Sequence, residues 1–92
     1  MATYFMFGDY SQESIKDLSA ERTDNTIALI EKNGGKLTAG YALLGEFDLV
    51  LIVEFPDNEG AIKTSVALSK MLGIGFTTSP AVTIDTFDKL VG

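Results

Sequence analysis

Two apolar runs joined by a Gly-Glu pair constrain the fold of this chain more than any other feature. Residues 36–44 (KLTAGYALL) and 47–55 (FDLVLIVEF) have the composition of β-strands, and Gly45-Glu46 between them suits a two-residue type II′ turn. Pro56 ends the second run because proline donates no hydrogen bond to a β-ladder. The sequence therefore predicts an antiparallel hairpin at its centre.

The segment before the hairpin predicts a strand followed by a helical region. Residues 3–8 are aromatic and β-prone, and Ser11 can cap a helix that ends at Gly34-Gly35. Ser19 can start a second helical segment, so a break there is expected. The apolar residues at helical spacing are Ile15, Leu18, Ile27, Leu29 and Ile30.

The segment after the hairpin repeats this alternation. Asp57 or Asn58 caps a helix that closes at Gly73, and residues 76–84 (FTTSPAVTI) form a last strand. Pro80 within that strand predicts an edge or a bulge. Asp85 is expected to cap a short C-terminal helix.

The order βαββαβ predicts a single α+β domain over residues 1–92. Two right-handed crossovers and one hairpin give the ferredoxin-like fold, a four-stranded antiparallel sheet with both helices on one face and a short C-terminal helix added.

The predicted two-residue turn also sets which side chains share a face of the sheet. One face carries no charge and is assigned to the helices: Thr38, Gly40, Ala42, Leu44, Phe47, Leu49, Leu51, Val53 and Phe55. The other face is open: Leu37, Ala39, Tyr41, Leu43, Asp48, Val50, Ile52 and Glu54.

This open face is strongly apolar, and that predicts self-association. Covering about eight such side chains is worth on the order of 10 to 20 kcal/mol before association entropy is subtracted. We therefore expect a homodimer through the open sheet face, in the dimeric α/β barrel arrangement.

The composition excludes several kinds of chemistry. The chain has no histidine and no cysteine, so imidazole bases, thiolate nucleophiles, disulfides and His- or Cys-ligated metals are absent. A net charge of −6 without a basic cluster argues against nucleic acid and anionic membrane as partners. No cofactor or metal is predicted, and the expected location is the cytoplasm.

Four polar residues are the candidate ligand contacts: Arg22, Tyr41, Asp48 and Glu54. Arg22, the sole arginine, either begins a helix after a Ser19 cap and turns outward, or binds an anion in the cleft between helix and sheet. Asp48 and Glu54 either mark the rim of the dimer surface and accept ordinary hydrogen bonds, or form the polar floor of a small-molecule cavity.

The stretch LLGEFDLVLIVEFPD, with GGK and a tyrosine before it, resembles the GYD-domain family of small proteins. The Gly-x-Tyr-Asp signature of that family falls on Gly45, Glu46, Phe47 and Asp48, with phenylalanine in place of the tyrosine. The resemblance implies a ferredoxin-like, dimeric α/β barrel fold and assigns no reaction.

The sequence thus favours a homodimeric cytoplasmic protein that binds a small organic ligand or acts as a regulatory or interaction module. One alternative is a cofactor-independent oxygenase- or isomerase-like enzyme in which Asp48 or Glu54 accepts a proton and Tyr41 orients the substrate. Another is a purely structural self-assembly module.

Overall fold

A computed structural model describes residues 1–16 and 19–92 of the chain. Its order of strands and helices confirms the predicted βαββαβ pattern with an added C-terminal helix. The elements are β1 Ala2–Tyr10, α1 Gln12–Lys16, α2 Ala20–Lys32, β2 Lys36–Ala42, β3 Leu49–Phe55, α3 Asn58–Leu72, β4 Ile74–Ala81 and α4 Ile84–Val91.

The four strands form one antiparallel sheet in the order β2-β3-β1-β4, the order of the ferredoxin-like fold. The first and second halves of the chain therefore interleave at the centre, where β1 pairs with β3. β4 is an edge strand, which explains how it accommodates Pro80.

The helix boundaries follow the capping residues. Ser11 caps α1 by accepting a hydrogen bond from the Ser14 N–H at 3.0 Å, and Ser19 caps α2. The expected break at Ser19 is confirmed, and the predicted helical position Leu18 lies outside the described residues. Asp57 caps α3, which ends at Gly73 in the left-handed conformation with φ 67°.

One predicted cap is wrong. Asp85 lies inside the first turn of α4, and Thr83 is the N-cap, since its side chain accepts a hydrogen bond from the Thr86 N–H at 3.1 Å.

The core lies between the sheet and the helices α2 and α3. Met6, Val53 and Phe55 project from the sheet toward Ile30 of α2 and Leu68 of α3, and all five are fully buried. Burial of side chains from both helices on this one face confirms that α2 and α3 cover the same side of the sheet.

The connection between β2 and β3 differs from the predicted two-residue turn. β2 ends at Ala42 and β3 begins at Leu49, with one further backbone bond from the Leu43 N–H to the Asp48 carbonyl oxygen at 2.8 Å. The predicted pairing holds from Ala39–Ile52 to Leu43–Asp48.

The predicted alternation placed Leu44 and Phe47 on the helix side of the sheet. In the structure neither residue lies there. Leu44 is fully exposed, and the Phe47 ring lies 5.0 Å from the Phe7 ring on the open face. Strand alternation does not extend through the longer loop, so it could not place these side chains.

A β-bulge moves Leu37 to the other face. The register shifts between Leu37 and Ala39, so Leu37 faces Val53 instead of Glu54. Thr38, the extra residue, donates its hydroxyl to the Ile52 carbonyl oxygen at 2.8 Å. Leu37 therefore packs on the helix side of the sheet, against the core, and not on the open face as predicted.

The open face has no helix over it in the part of the chain that the structure describes. Its apolar residues on the two central strands are Phe5, Phe7, Val50 and Ile52. On the edge strand β4, by contrast, this face carries the polar side chains Thr77 and Ser79.

Over residues 1–16 and 19–92, no helix combines the length and the apolar character needed to cross a membrane.

Candidate functional site

The candidate site is a cleft between the first turn of α2 and the helix side of the sheet. It has a volume of about 90 Å³ and is partly open to solvent. Side chains from α2, α3 and all four strands contribute to its walls. They are Tyr10, Ser19, Arg22, Thr23, Thr26, Leu37, Leu49, Leu51, Leu72 and Ile74.

The Ser19 cap places Arg22 at this cleft. The Ser19 hydroxyl oxygen accepts a hydrogen bond from the Arg22 N–H at 3.2 Å, which fixes Arg22 in the first turn of α2. From there the side chain reaches back toward α1, where Nη1 donates to the Ser14 carbonyl oxygen. The helix starts as predicted, but Arg22 points into the cleft instead of outward.

The other terminal nitrogen of Arg22 has no acceptor among the described residues. Nη2 is buried and makes no hydrogen bond to any residue within the ranges 1–16 and 19–92. A buried donor without a partner is uncommon and costs free energy. An acceptor brought by a ligand would satisfy it.

The ring of Tyr10 lies near the guanidinium group of Arg22. Its ring centroid lies 6.0 Å from Cζ of Arg22, at the outer limit of a cation–π contact. Tyr10 is in turn fixed by Asp48, whose Oδ2 accepts a hydrogen bond from the Tyr10 backbone N–H at 2.8 Å. Asp48 therefore anchors the end of β1 beside the cleft.

Apolar side chains form the rest of the wall. The bulge in β2 brings Leu37 to the cleft, where it joins Leu49 and Leu51 of β3. Leu72 and Ile74 enclose the cleft from the end of α3 and the start of β4. The hydroxyl of Thr26 donates to the Arg22 carbonyl oxygen at 2.9 Å, so it is already occupied within α2.

This arrangement is chemically suited to hold a small anion that also has an apolar part. With Nη1 on the Ser14 carbonyl oxygen, Nη2 of the guanidinium group is left to donate to a carboxylate, and leucine and isoleucine side chains favour a hydrocarbon body. By a measure of roughly 10–15 Å³ for each water molecule, a volume of about 90 Å³ holds about six to nine waters or a similarly small organic molecule.

The structure separates the four residues that the sequence analysis singled out. Of these, Arg22 lines the cleft. Tyr41 lies on the open face of β2 with 60% of its surface exposed. Glu54 is on that same face, paired in register with Lys36 and with Thr3. Asp48 approaches the cleft only through its bond to Tyr10.

Several residues of the cleft were not predicted to share a site. Tyr10 and Ile74 pair across β1 and β4, and Leu37 reaches the cleft only because of the bulge. Tyrosine at a strand end is common in ordinary packing, so the sequence carried no signal for its role beside Arg22.

Within residues 1–16 and 19–92, no group of three or more Asp or Glu side chains is placed to hold a metal ion.

Comparison with known proteins adds a family and a fold. The model of the family described as the GYD domain matches residues 4–91. None of the curated proteins compared with this chain matches it.

Solved protein structures share the fold, among them the two that follow. The leucine response regulatory protein (LrpA) of Mycobacterium tuberculosis superposes with a TM-score of 0.58 at 12% sequence identity, covering 89% of this chain and 51% of that one. The structure of a single-substitution mutant protein superposes with a TM-score of 0.59 at 13% identity, covering 89% of this chain and 50% of that one. The chain thus spans about half the length of either protein, and identity this low supports the fold alone.

Proposed function

The chain belongs to the GYD-domain family, and we propose that this member is a binding module for a small organic carboxylate with an apolar body. The ligand would lie in the cleft beside Arg22. The observation that carries the proposal is the buried Nη2 of Arg22, which has no acceptor among the described residues.

The contacts of Arg22 favour a bound anion over a purely structural role. Nη1 is held by the Ser14 carbonyl oxygen and the ring of Tyr10 lies against the group, so the guanidinium is oriented before any ligand arrives. Preorganisation of this kind lowers the entropy lost on binding. A carboxylate would take the remaining donor and compensate the buried positive charge.

The walls define the rest of the ligand. Leu37, Leu72 and Ile74 present hydrocarbon surface, which favours an aliphatic group of about three to five carbon atoms for a cleft of about 90 Å³. Thr23 at the same wall offers a hydroxyl for a further polar atom of the ligand.

The experiment is a thermal-shift and calorimetric titration with isovalerate, leucine and two neutral analogues, isovaleramide and isoamyl alcohol. Leucine is included because the similar solved protein from M. tuberculosis is named for a leucine response. We expect isovalerate to raise the melting temperature and the neutral analogues to leave it unchanged.

Variants connect binding to the cleft. Arg22→Met should abolish binding and Arg22→Lys should weaken it, because lysine keeps the charge but lacks the planar group that donates to the Ser14 carbonyl oxygen and to the ligand at once. Lys32→Met, which removes an exposed charge from the last turn of the same helix, is the matched control and should bind like the unaltered protein. Absence of binding by either carboxylate, or equal binding by Arg22→Met, would refute the proposal.

A second role, self-association through the open sheet face, is favoured by a separate observation. Phe5, Phe7 and Phe47 form a row of aromatic rings on that face, with centroid separations of 6.2 Å and 5.0 Å. Contiguous apolar surface of this kind commonly marks an interface. We propose a homodimer in which two open faces stack, the dimeric α/β barrel arrangement.

Sedimentation velocity tests this role separately from ligand binding. The unaltered chain should sediment at no less than twice its mass of 9.9 kDa, and Ile52→Lys, at the centre of the face, should weaken self-association at least tenfold. Thr77→Lys, on the polar edge strand of the same face, is the control and should associate like the unaltered chain. A monomeric unaltered protein at micromolar concentration would exclude the dimer.

A further inference from the structure

The C-terminal helix α4 has an apolar side that its own chain does not cover. The helix runs from Ile84 to Val91, and none of its eight residues is buried by the described part of the chain. Ile84 and Leu90 are 75% and 73% exposed, and Phe87 is half-exposed. A short helix with so much apolar surface in water needs a partner to be stable.

The charges of α4 are arranged asymmetrically around this apolar side. At 3.6 residues per turn, Ile84, Phe87, Leu90 and Val91 fall on one side. Asp85 and Lys89 lie on the opposite side, joined by an ion pair at 3.1 Å. Asp88 borders the apolar side and forms no ion pair within residues 1–16 and 19–92.

A second cavity supplies the complementary surface. It lies between α3 and the edge of the sheet, has a volume of about 220 Å³, and is lined by Tyr4, Asn58, Ala61, Ile62, Thr78 and Pro80. Beside it, α3 exposes Ile62 and Val66 one turn apart. We call this cavity together with Ile62 and Val66 the α3 groove.

The border of the α3 groove carries positive charge, whereas the border of the apolar side of α4 carries the negative charge of Asp88. Lys63 and Lys70 are exposed next to Ile62 and Val66 on the outer side of α3, where two lysines outnumber the one exposed carboxylate, Glu59. The apolar surface of the α3 groove thus has a basic border, and the apolar side of α4 has an acidic border. The two surfaces are complementary in composition. Such a pattern favours docking with Asp88 toward these lysines.

We propose that α4 of one chain docks in the α3 groove of a second copy, and that the exchange is reciprocal. Both surfaces belong to the same chain, so two copies related by a twofold axis satisfy both at once. This contact is separate from the stacking of sheet faces and from ligand binding at Arg22.

The area involved is enough for a stable contact. Each of the four apolar side chains of α4 exposes on the order of 100 Å², so two arms and the two grooves they cover remove roughly 1,600 Å² from water, a typical area for a specific interface. A membrane surface is a poorer partner, since the chain has a net charge of −6 and α4 has two aspartates against one lysine.

Disulfide cross-linking tests the exchange directly because the chain has no cysteine of its own. The double variant Ile62→Cys/Leu90→Cys, oxidised at low concentration, should form a covalent dimer on a non-reducing gel. Ile62→Cys/Lys89→Cys places the second thiol on the opposite side of α4 and should cross-link at least tenfold more slowly. A double variant that loses its free thiols but stays monomeric would show α4 docking on its own chain and overturn the proposal.

Leu90→Asp separates the exchange from the sheet contact without any cysteine. In the Ile52→Lys background, in which the sheet faces no longer stack, it should weaken self-association at least tenfold in sedimentation equilibrium, and Lys89→Asp, on the solvent side, should weaken it far less. Equal dissociation constants for Ile52→Lys with and without Leu90→Asp would overturn the proposal. So would binding of the unaltered chain to phosphatidylcholine vesicles that Leu90→Asp abolishes, which would assign α4 to a lipid surface.

Discussion

Replacing Asp48 by alanine is the sharpest test of the role that the structure gives this carboxylate. Asp48 was a candidate proton acceptor on sequence grounds. In the structure its Oδ2 accepts the Tyr10 backbone N–H at 2.8 Å, while its own N–H donates to the Gly8 carbonyl oxygen at 2.9 Å. Asp48 lies just before the start of β3, and its side chain adds one more hydrogen bond to β1.

The expected loss of stability follows from this one bond. Hydrogen bonds to a charged group contribute about 1.5–3 kcal/mol, and because Asp48 is only half-buried we take the lower part, about 1.5–2 kcal/mol. For a domain of this size each kcal/mol lowers the melting temperature by about 4–8 °C, so Asp48→Ala should melt about 6–16 °C lower. Asp48→Asn keeps an acceptor oxygen and should lose about half as much.

Urea unfolding at pH 7 and one fixed protein concentration measures the effect, since self-association makes stability depend on concentration. Glu46→Ala, an exposed carboxylate on the same loop, is the matched control and should change the free energy of unfolding by less than about 0.5 kcal/mol. If Asp48→Ala is as stable as Glu46→Ala, the anchoring role assigned to Asp48 is wrong.

Three further substitutions test the local structure. Ser19→Ala removes the α2 cap and should cost about 1 kcal/mol, measured by urea unfolding against Ser79→Ala as an exposed control. Gly35→Ala would place a Cβ 2.4 Å from the fully buried Phe55 ring and should cost about 1–3 kcal/mol, whereas Gly75→Ala meets no atom within 4 Å and should be nearly neutral. Lys89→Ala breaks an ion pair whose partners are 77% and 79% exposed and should leave the melting temperature almost unchanged in differential scanning calorimetry.

The fold was predictable because its signals are local. The apolar, β-prone runs of β1 and β3, the serine and aspartate caps, and the left-handed Gly73 each act within a few residues. Together they specify the order of elements, and general rules of connection then select the sheet order. Threonine and aspartate are both common N-cap residues, so the sequence alone did not distinguish Thr83 from Asp85. The choice depends on where the helix begins, which is Ile84.

The candidate site was not predictable to the same extent because it depends on two departures from regular structure. The bulge at Thr38 reverses the direction of Leu37, and nothing in the alternation of β2 marks it. The break at Ser19 is marked in the sequence by a capping residue, but the direction of the Arg22 side chain depends on the Ser14 carbonyl oxygen, which the chain supplies only once α1 is formed.

Tyr10 connects the carboxylate of Asp48, outside the cleft, with the guanidinium group of Arg22, inside it. Asp48 fixes the backbone of Tyr10, and the ring centroid of Tyr10 lies 6.0 Å from Cζ of Arg22, so a residue outside the cleft supports the orientation of the guanidinium group within it. Asp48→Ala should therefore weaken isovalerate binding, because the Tyr10 backbone becomes more mobile. Tyr10→Phe keeps the ring beside Arg22 and should bind isovalerate like the unaltered protein. Because preorganisation is lost without loss of a contact, Asp48→Ala should still bind isovalerate, with a lower affinity than the unaltered protein and a higher one than Arg22→Met.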